Sequence, residues 1–235
     1  MYHIFPLHFL PVALLLPKSL FIHIPKTGGM WVRKAIRSAG ILTDEIIPTA
    51  MIGEDWHAMM GHASPLQLHI SDRFRFAFVR HPLSFYQSYW CFKMRTGWTS
   101  ELTFDVQHRS EDFATFVRSV LKANPRGWLT LMYTRSLGEH FDAVEYIGRT
   151  ERLADDLVCA LTLAGETFDE DALRSTSAEN VASKHPEWAE RCQYSDALRA
   201  EVCGVEHRIM EHFGYGERVI QHMDTIVQSG AVSIT

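Results

Sequence analysis

The sequence is poor in cysteine. Cys91, Cys159, Cys192 and Cys203 are its only four, and none lies in a C-x-x-C pair. This spacing gives neither a zinc signature nor an evident disulfide framework, so a reducing, cytoplasmic setting is expected, although four cysteines can still pair. Histidine is more plentiful, at thirteen, but scattered, with no H-E-x-x-H or other close ligand set, so no metal site is expected. Positive charge is scarce: 23 Lys and Arg stand against 28 Asp and Glu, a net charge of −5. No global basic field exists to hold nucleic acid, and any anion site must be local. There is no internal repeat and no low-complexity block. The apolar opening, MYHIFPLHFLPVALLLP, lacks Lys and Arg and is interrupted by Pro6, Pro11 and Pro17. No small-residue cleavage site follows it, and a predicted strand begins at once. Residues 1–17 therefore read as a packed or disordered leader, without stable membrane insertion.

What is present is an ordinary globular balance, 46% hydrophobic and 22% charged over 235 residues. It fits one domain over residues 18–220 with a tail at 221–235. Short apolar runs predict strands at 20–24, 57–61, 74–79 and 143–147. Helical spacing predicts helices at 30–39, from Pro82 to about 94, at 111–122 capped by Ser110, after Thr150, and at 196–213 ending at Gly214. Strands alternating with helices imply an α/β fold, a central and mainly parallel sheet of four or five strands flanked by helices. The tracts 95–109 and 124–139 read as loop-rich insertions that shape a substrate cleft.

The most informative stretch runs Phe21-Ile-His-Ile-Pro-Lys-Thr-Gly-Gly-Met-Trp31. A strand leads into Lys26-Thr27-Gly28-Gly29, and a helix starts there. Glycines let backbone N–H groups turn toward an anion, and the helix N-terminus adds partial positive charge. Lys26 brings a full charge and Thr27 a hydroxyl. A plain strand–turn–helix corner with an exposed lysine fits the same pattern. The order is not that of a nucleotide triphosphatase loop, G-x-x-x-x-G-K-[ST], because lysine precedes the glycines. This order counts against a small-molecule P-loop kinase.

The order P-K-T-G-G after a strand resembles the 5′-phosphosulfate loop of the sulfotransferases that use 3′-phosphoadenosine 5′-phosphosulfate. Phe76-Ala-Phe-Val-Arg80-His-Pro82, followed by Ser88, resembles that family's 3′-phosphate motif. Residues 146–156 resemble the segment leading from the last core strand into its helix. Asn180-Val-Ala-Ser183-Lys184 resembles a late loop that closes over the 3′-phosphate in carbohydrate sulfotransferases. The resemblance spans about residues 20–215. It implies a three-layer P-loop-like fold and a phosphosulfate donor with no metal. Lys26, Thr27, Gly28, Gly29, Met30, Trp31, Arg80, Ser88, Ser183 and Lys184 would then hold the donor. Met30 departs from the family's usual Ser or Thr, which removes one hydroxyl. Trp31 matches a position that stacks adenine in some members, and equally suits a core aromatic.

Transfer to a hydroxyl needs a base and cations for the leaving phosphate. His62, in Gly61-His62, is expected to emerge at the carboxyl edge of the sheet and act as base, with Lys26 as its catalytic partner. His57 and Glu54 are the alternatives. Arg95, Trp98, Arg109, Arg126, Trp128, Tyr133 and Arg135 in the insertion tracts suit a sugar or acidic glycan acceptor, or else core aromatics and solvated arginines. A non-catalytic module that binds nucleotide or sulfated glycan is the alternative from another class.

Overall fold

The structure is a computed structural model and describes residues 13–46, 72–100, 102–177 and 186–216. Strands β1 (Ala13–Leu15), β2 (Ser19–Ile22), β3 (Asp44–Ile46), β4 (Phe74–Val79) and β5 (Tyr146–Arg149) form one sheet in the order β3-β1-β2-β4-β5. β4 pairs in parallel with both β2 and β5, while β1 is antiparallel to β2 and to β3. Four strands thus share one direction and β1 opposes them, giving a mixed open sheet in an α/β fold.

The leader reading needs correction at its end. Ala13 and Leu14 are fully buried in β1, between β2 and β3. Leu16 N–H donates to the Ser19 carbonyl at 2.9 Å, closing a hairpin turn through Pro17. Pro17 is a turn residue there, since its fixed φ suits the bend.

Strand alternation splits the core in two. Phe21, Phe76 and Phe78 face one way, against α1 (Gly29–Ser38) and two later helices, α6 (Leu153–Leu163) and α7 (Glu170–Arg174). Leu20, Ile22, Ala77 and Val79 face the other way. That side is covered by α2 (Pro82–Thr96), α3 (Thr103–His108), α4 (Phe113–Ala123), α5 (Trp128–Leu137), α9 (Asp196–Val205) and α10 (His207–His212), with α8 (Pro186–Arg191) packed on α2. Each fully buried Phe contributes roughly 1.5–3 kcal/mol. Helices therefore lie on both faces of the sheet.

The two tracts expected as insertions contain α3 and α5. Trp128 is 8% exposed and Tyr133 is fully buried, so these two aromatics belong to the core and present no face to a sugar. Trp98 packs on Phe116, with ring centroids 5.6 Å apart. The arginines of these tracts, Arg95, Arg109, Arg126 and Arg135, are exposed.

Two caps also differ from expectation. Asp112, not Ser110, caps α4, accepting from Thr115 N at 2.7 Å. Thr150 opens a 3₁₀ turn (Thr150–Arg152) and donates its hydroxyl to the Val79 carbonyl, binding β5's end to β4's. The expected helix over 196–213 is broken at Glu206 into α9 and α10. Among the described residues no helix is long and apolar enough to cross a membrane.

Candidate functional site

Parallel pairing brings the carboxyl ends of β2, β4 and β5 to one sheet edge, where open α/β sheets place ligands. The loop from His23 to Gly28 leaves β2 there, and Arg80 leaves β4. The 3₁₀ turn leaves β5.

The loop after β2 is shaped by close packing. Lys26 adopts φ 62° and Gly28 φ 86°, with Thr27 outside the positive-φ region between them. Such alternation turns successive N–H groups toward one concave side, which suits an anion. A lysine in the left-handed region is uncommon and carries strain. Thr27 is buried and its hydroxyl donates to the Ile24 carbonyl at 2.9 Å. Its side-chain proton thus clips the loop together. A Cβ on Gly29 would lie 2.0 Å from His23 Cδ2, and one on Gly28 would lie 2.7 Å from Leu153 Cδ2. Gly29 is required by crowding against the His23 ring, and Gly28 by its positive φ.

Helix α1 starts directly from this loop. It has no side-chain N-cap and no acidic residue in its first turn. Its N-terminal donors and dipole therefore face the loop without a carboxylate of the helix's own to satisfy them. Met30 is 45% exposed in that first turn. Trp31 packs partly against the α1 side of the core and donates Nε1–H to the Thr176 carbonyl at 3.1 Å.

Arg80 crosses from β4 to the loop, where its Nη1 donates to the Lys26 carbonyl at 3.1 Å. Its backbone is fixed by Tyr133: Arg80 N–H donates to the Tyr133 hydroxyl at 2.8 Å, and that hydroxyl donates back to the Arg80 carbonyl at 3.1 Å. The Nε of Arg80 is buried without a hydrogen-bond partner among the described residues. Burial holds the Arg80 pKa below the usual guanidinium value, with the nearby Glu151 acting in the opposite direction. A buried, unsatisfied guanidinium donor suits an anionic oxygen.

The Lys26 ammonium lies 3.9 Å from the centre of the Phe92 ring on α2. Its pKa is lowered from 10.5 to about 7, first by burial and then by the charges of Arg80, Arg95 and Lys93. Lys93 is itself paired with Asp105 at 2.5 Å, both side chains being buried. Lys26 has no such carboxylate among the influences on it. Ser88, Phe92 and Arg95 recur at i, i+4 and i+7 and so share one face of α2. That face carries the ring beneath Lys26, which puts Ser88 one helical turn from the ammonium's contact.

Further contacts at the edge brace these groups. His81 is fully buried, caps α2 by accepting from Leu83 N through Nδ1, and donates its backbone N–H to Glu151 at 2.8 Å. Burial, and then Arg199, push its imidazole down to about 4, so it is neutral at pH 7. Glu151 also accepts from the Tyr215 hydroxyl at 3.3 Å. Tyr215 also lines an open cavity of ≈ 460 Å³, together with Arg199, Cys203 and Met210.

The structure therefore brings Lys26, Thr27, Gly28, Gly29 and Arg80 to one edge, with Met30 and Trp31 in the first turn of α1 and Ser88 further along α2, on the face that carries Phe92. His62, His57, Glu54, Ser183 and Lys184 lie outside the described residues. Sequence reasoning missed Phe92, Glu151 and the Tyr133 clamp. Phe92 was discoverable, because it lies four residues after Ser88 on a helix. The Tyr133 contact has no sequence signal, since it joins positions 53 residues apart. No group of three or more His, Cys, Asp or Glu suited to a metal occurs among the described residues. Comparison of the chain with protein-family models, with curated proteins and with solved structures returns no match.

Proposed function

We propose that the chain is a sulfotransferase that uses 3′-phosphoadenosine 5′-phosphosulfate as donor and a hydroxyl, on a carbohydrate, as acceptor. One observation carries this reading. A lysine with no described carboxylate partner and an arginine with an unsatisfied buried Nε meet in a glycine loop at a helix N-terminus. The cluster fits the oxygens of a phosphate or phosphosulfate group, with charge from Lys26 and an open donor on Arg80.

The donor supplies an activated sulfuryl group on a phosphate that leaves as an anion. Lys26 neutralises charge on that phosphate, aided by N–H groups of the loop and of α1. Arg80 and Ser88 hold the 3′-phosphate, with Arg80 in a charge-assisted fork. His62 takes the proton from the acceptor hydroxyl. The P-loop-like character of the fold and the roles of Ser183 and Lys184 belong to the same proposal.

The test is transfer of radioactive sulfate from the donor to a panel of glycans and small alcohols. Label should appear in an acceptor, with one 3′-phosphoadenosine 5′-phosphate formed per transfer. Lys26→Ala should weaken both donor binding and turnover. Folded His62→Ala should lower kcat by about 10²- to 10⁴-fold with nucleotide affinity nearly unchanged. Tight nucleotide binding with no transfer to any acceptor would instead make the chain a binding module.

A further inference from the structure

We propose that Cys91 and Cys192 are a peroxide-responsive thiol pair that closes a reversible intramolecular disulfide, tying α2 to the loop after α8. The two are not joined by a disulfide, and their sulfurs lie 3.5 Å apart, buried at 9% and 3% exposure. A disulfide is about 2.05 Å long, so the sulfurs need approach by only about 1.5 Å.

The backbones around them are already docked. Gln87 Nε2 donates to the Cys192 carbonyl at 2.9 Å, and the Tyr194 hydroxyl donates to the Leu83 carbonyl at 3.0 Å. Trp90 meets Trp188 edge to face at 6.2 Å, and the Arg191 guanidinium lies over both rings. Leu83, Gln87, Trp90 and Cys91 follow one stripe of α2, and the chain over 188–194 runs along it. The pair is thus held in register from both sides, and closure needs side-chain rotation more than backbone movement.

The two sulfurs are chemically unequal. The hydrogen bond between them lowers the Cys91 pKa, and the nearby charges of Lys26 and Arg80 lower it further against burial. The same bond, with burial, raises Cys192. Cys91 is therefore the thiolate that attacks. It displaces hydroxide from hydrogen peroxide and becomes a sulfenic acid, the hydroxide leaving as water once protonated. The Cys192 sulfur then gives up its proton and attacks the Cys91 sulfur. The S–O bond breaks, a second water leaves, and the S–S bond forms. Two thiols and one peroxide yield one disulfide and two waters.

Closure would brace the helix that carries Ser88 and the Phe92 ring under Lys26. The pairing itself requires nothing of the anion site's occupant, so it stands or falls apart from the sulfotransferase reading.

The experiment uses the full reduced chain, treated with stoichiometric hydrogen peroxide, alkylated, and mapped as peptides without reductant. A cross-linked peptide joining Cys91 to Cys192 should dominate, with Cys159 and Cys203 alkylated as free thiols. Dithiothreitol should restore all four thiols. In Cys192→Ser the link should vanish, and a dimedone adduct should accumulate at Cys91. The proposal is overturned if Cys91 and Cys192 stay alkylatable while exposed Cys159 oxidises, or if the product is an intermolecular dimer. Should Cys192→Ser fail to fold, the wild-type peptide map decides alone.

Discussion

At the scale of single residues, Lys26 is a group whose chemistry is strongly altered by its place. Its pKa falls from 10.5 to about 7. The folded chain then binds fewer protons here than the unfolded chain, between about pH 7 and 10.5. By linkage, this lysine lowers stability fully below about pH 7, and the penalty fades as pH rises toward 10.5. A bound phosphate reverses the shift by supplying the missing counter-charge, so binding must take up a proton above pH 7. Affinity for 3′-phosphoadenosine 5′-phosphate should therefore weaken between pH 7 and 9, by up to about tenfold per unit. Calorimetry in buffers of different ionisation heat should show uptake of close to one proton per nucleotide at pH 8, about the limit set by one titrating lysine. Lys26→Met should flatten that dependence. An unchanged slope in that variant would remove Lys26 from the binding site. Gly29 is the second test at this scale. With a Cβ 2.0 Å from the His23 ring, Gly29→Ala should cost about 1–3 kcal/mol in urea unfolding and loosen the loop. A melt like the wild type's would mean that the ring moves aside freely.

At the scale of elements, Glu206 accounts for a helix break that its local sequence hides. Leu198, Val202, Val205 and Ile209 keep helical spacing across it, so one helix over 196–213 is the natural expectation. The fully buried carboxylate of Glu206 instead accepts from Tyr86 Oη, Leu129 N, Thr130 N and Thr130 Oγ1, all within 2.9 Å. It caps α5 from another part of the chain, while α5 begins after Gly127 with no cap of its own. Glu206→Ala should strand two backbone donors and the hydroxyls of Tyr86 and Thr130, and cost about 3–5 kcal/mol in chemical denaturation. A loss under about 1 kcal/mol would contradict this capping role. β4 was fully legible, as Phe74–Val79, because a polar-to-apolar run ends at an X-Pro step. The helices α3 and α5 were not legible. Gly97, Pro125 and Gly127 punctuate short segments whose apolar residues serve a core assembled from distant elements. β1 was hidden by Pro17, which reads as a breaker until the hairpin turn is seen.

At the scale of the whole molecule, a chain of net charge −5 gathers Lys26, Arg80, Lys93 and Arg95 around the end of one loop. Two of the three parts of that edge could be read directly. The glycine loop and the arginine that ends β4 each carry a local pattern, and parallel pairing of β2 with β4 joins them. The third part, the bracing by Tyr133, Glu151 and Tyr215, depends on tertiary packing that no short pattern encodes. We propose that this cationic edge recognises a nucleotide bearing a 3′-phosphate. Isothermal titration of 3′-phosphoadenosine 5′-phosphate and of 5′-AMP, into the wild type and into Arg80→Ala, decides it. Loss of a buried charge-assisted contact costs at least about 2 kcal/mol, or roughly thirtyfold in affinity. The wild type should prefer the 3′-phosphorylated nucleotide by that factor or more, and Arg80→Ala should bind the two alike. Equal affinity of the wild type for both nucleotides would contradict the claim.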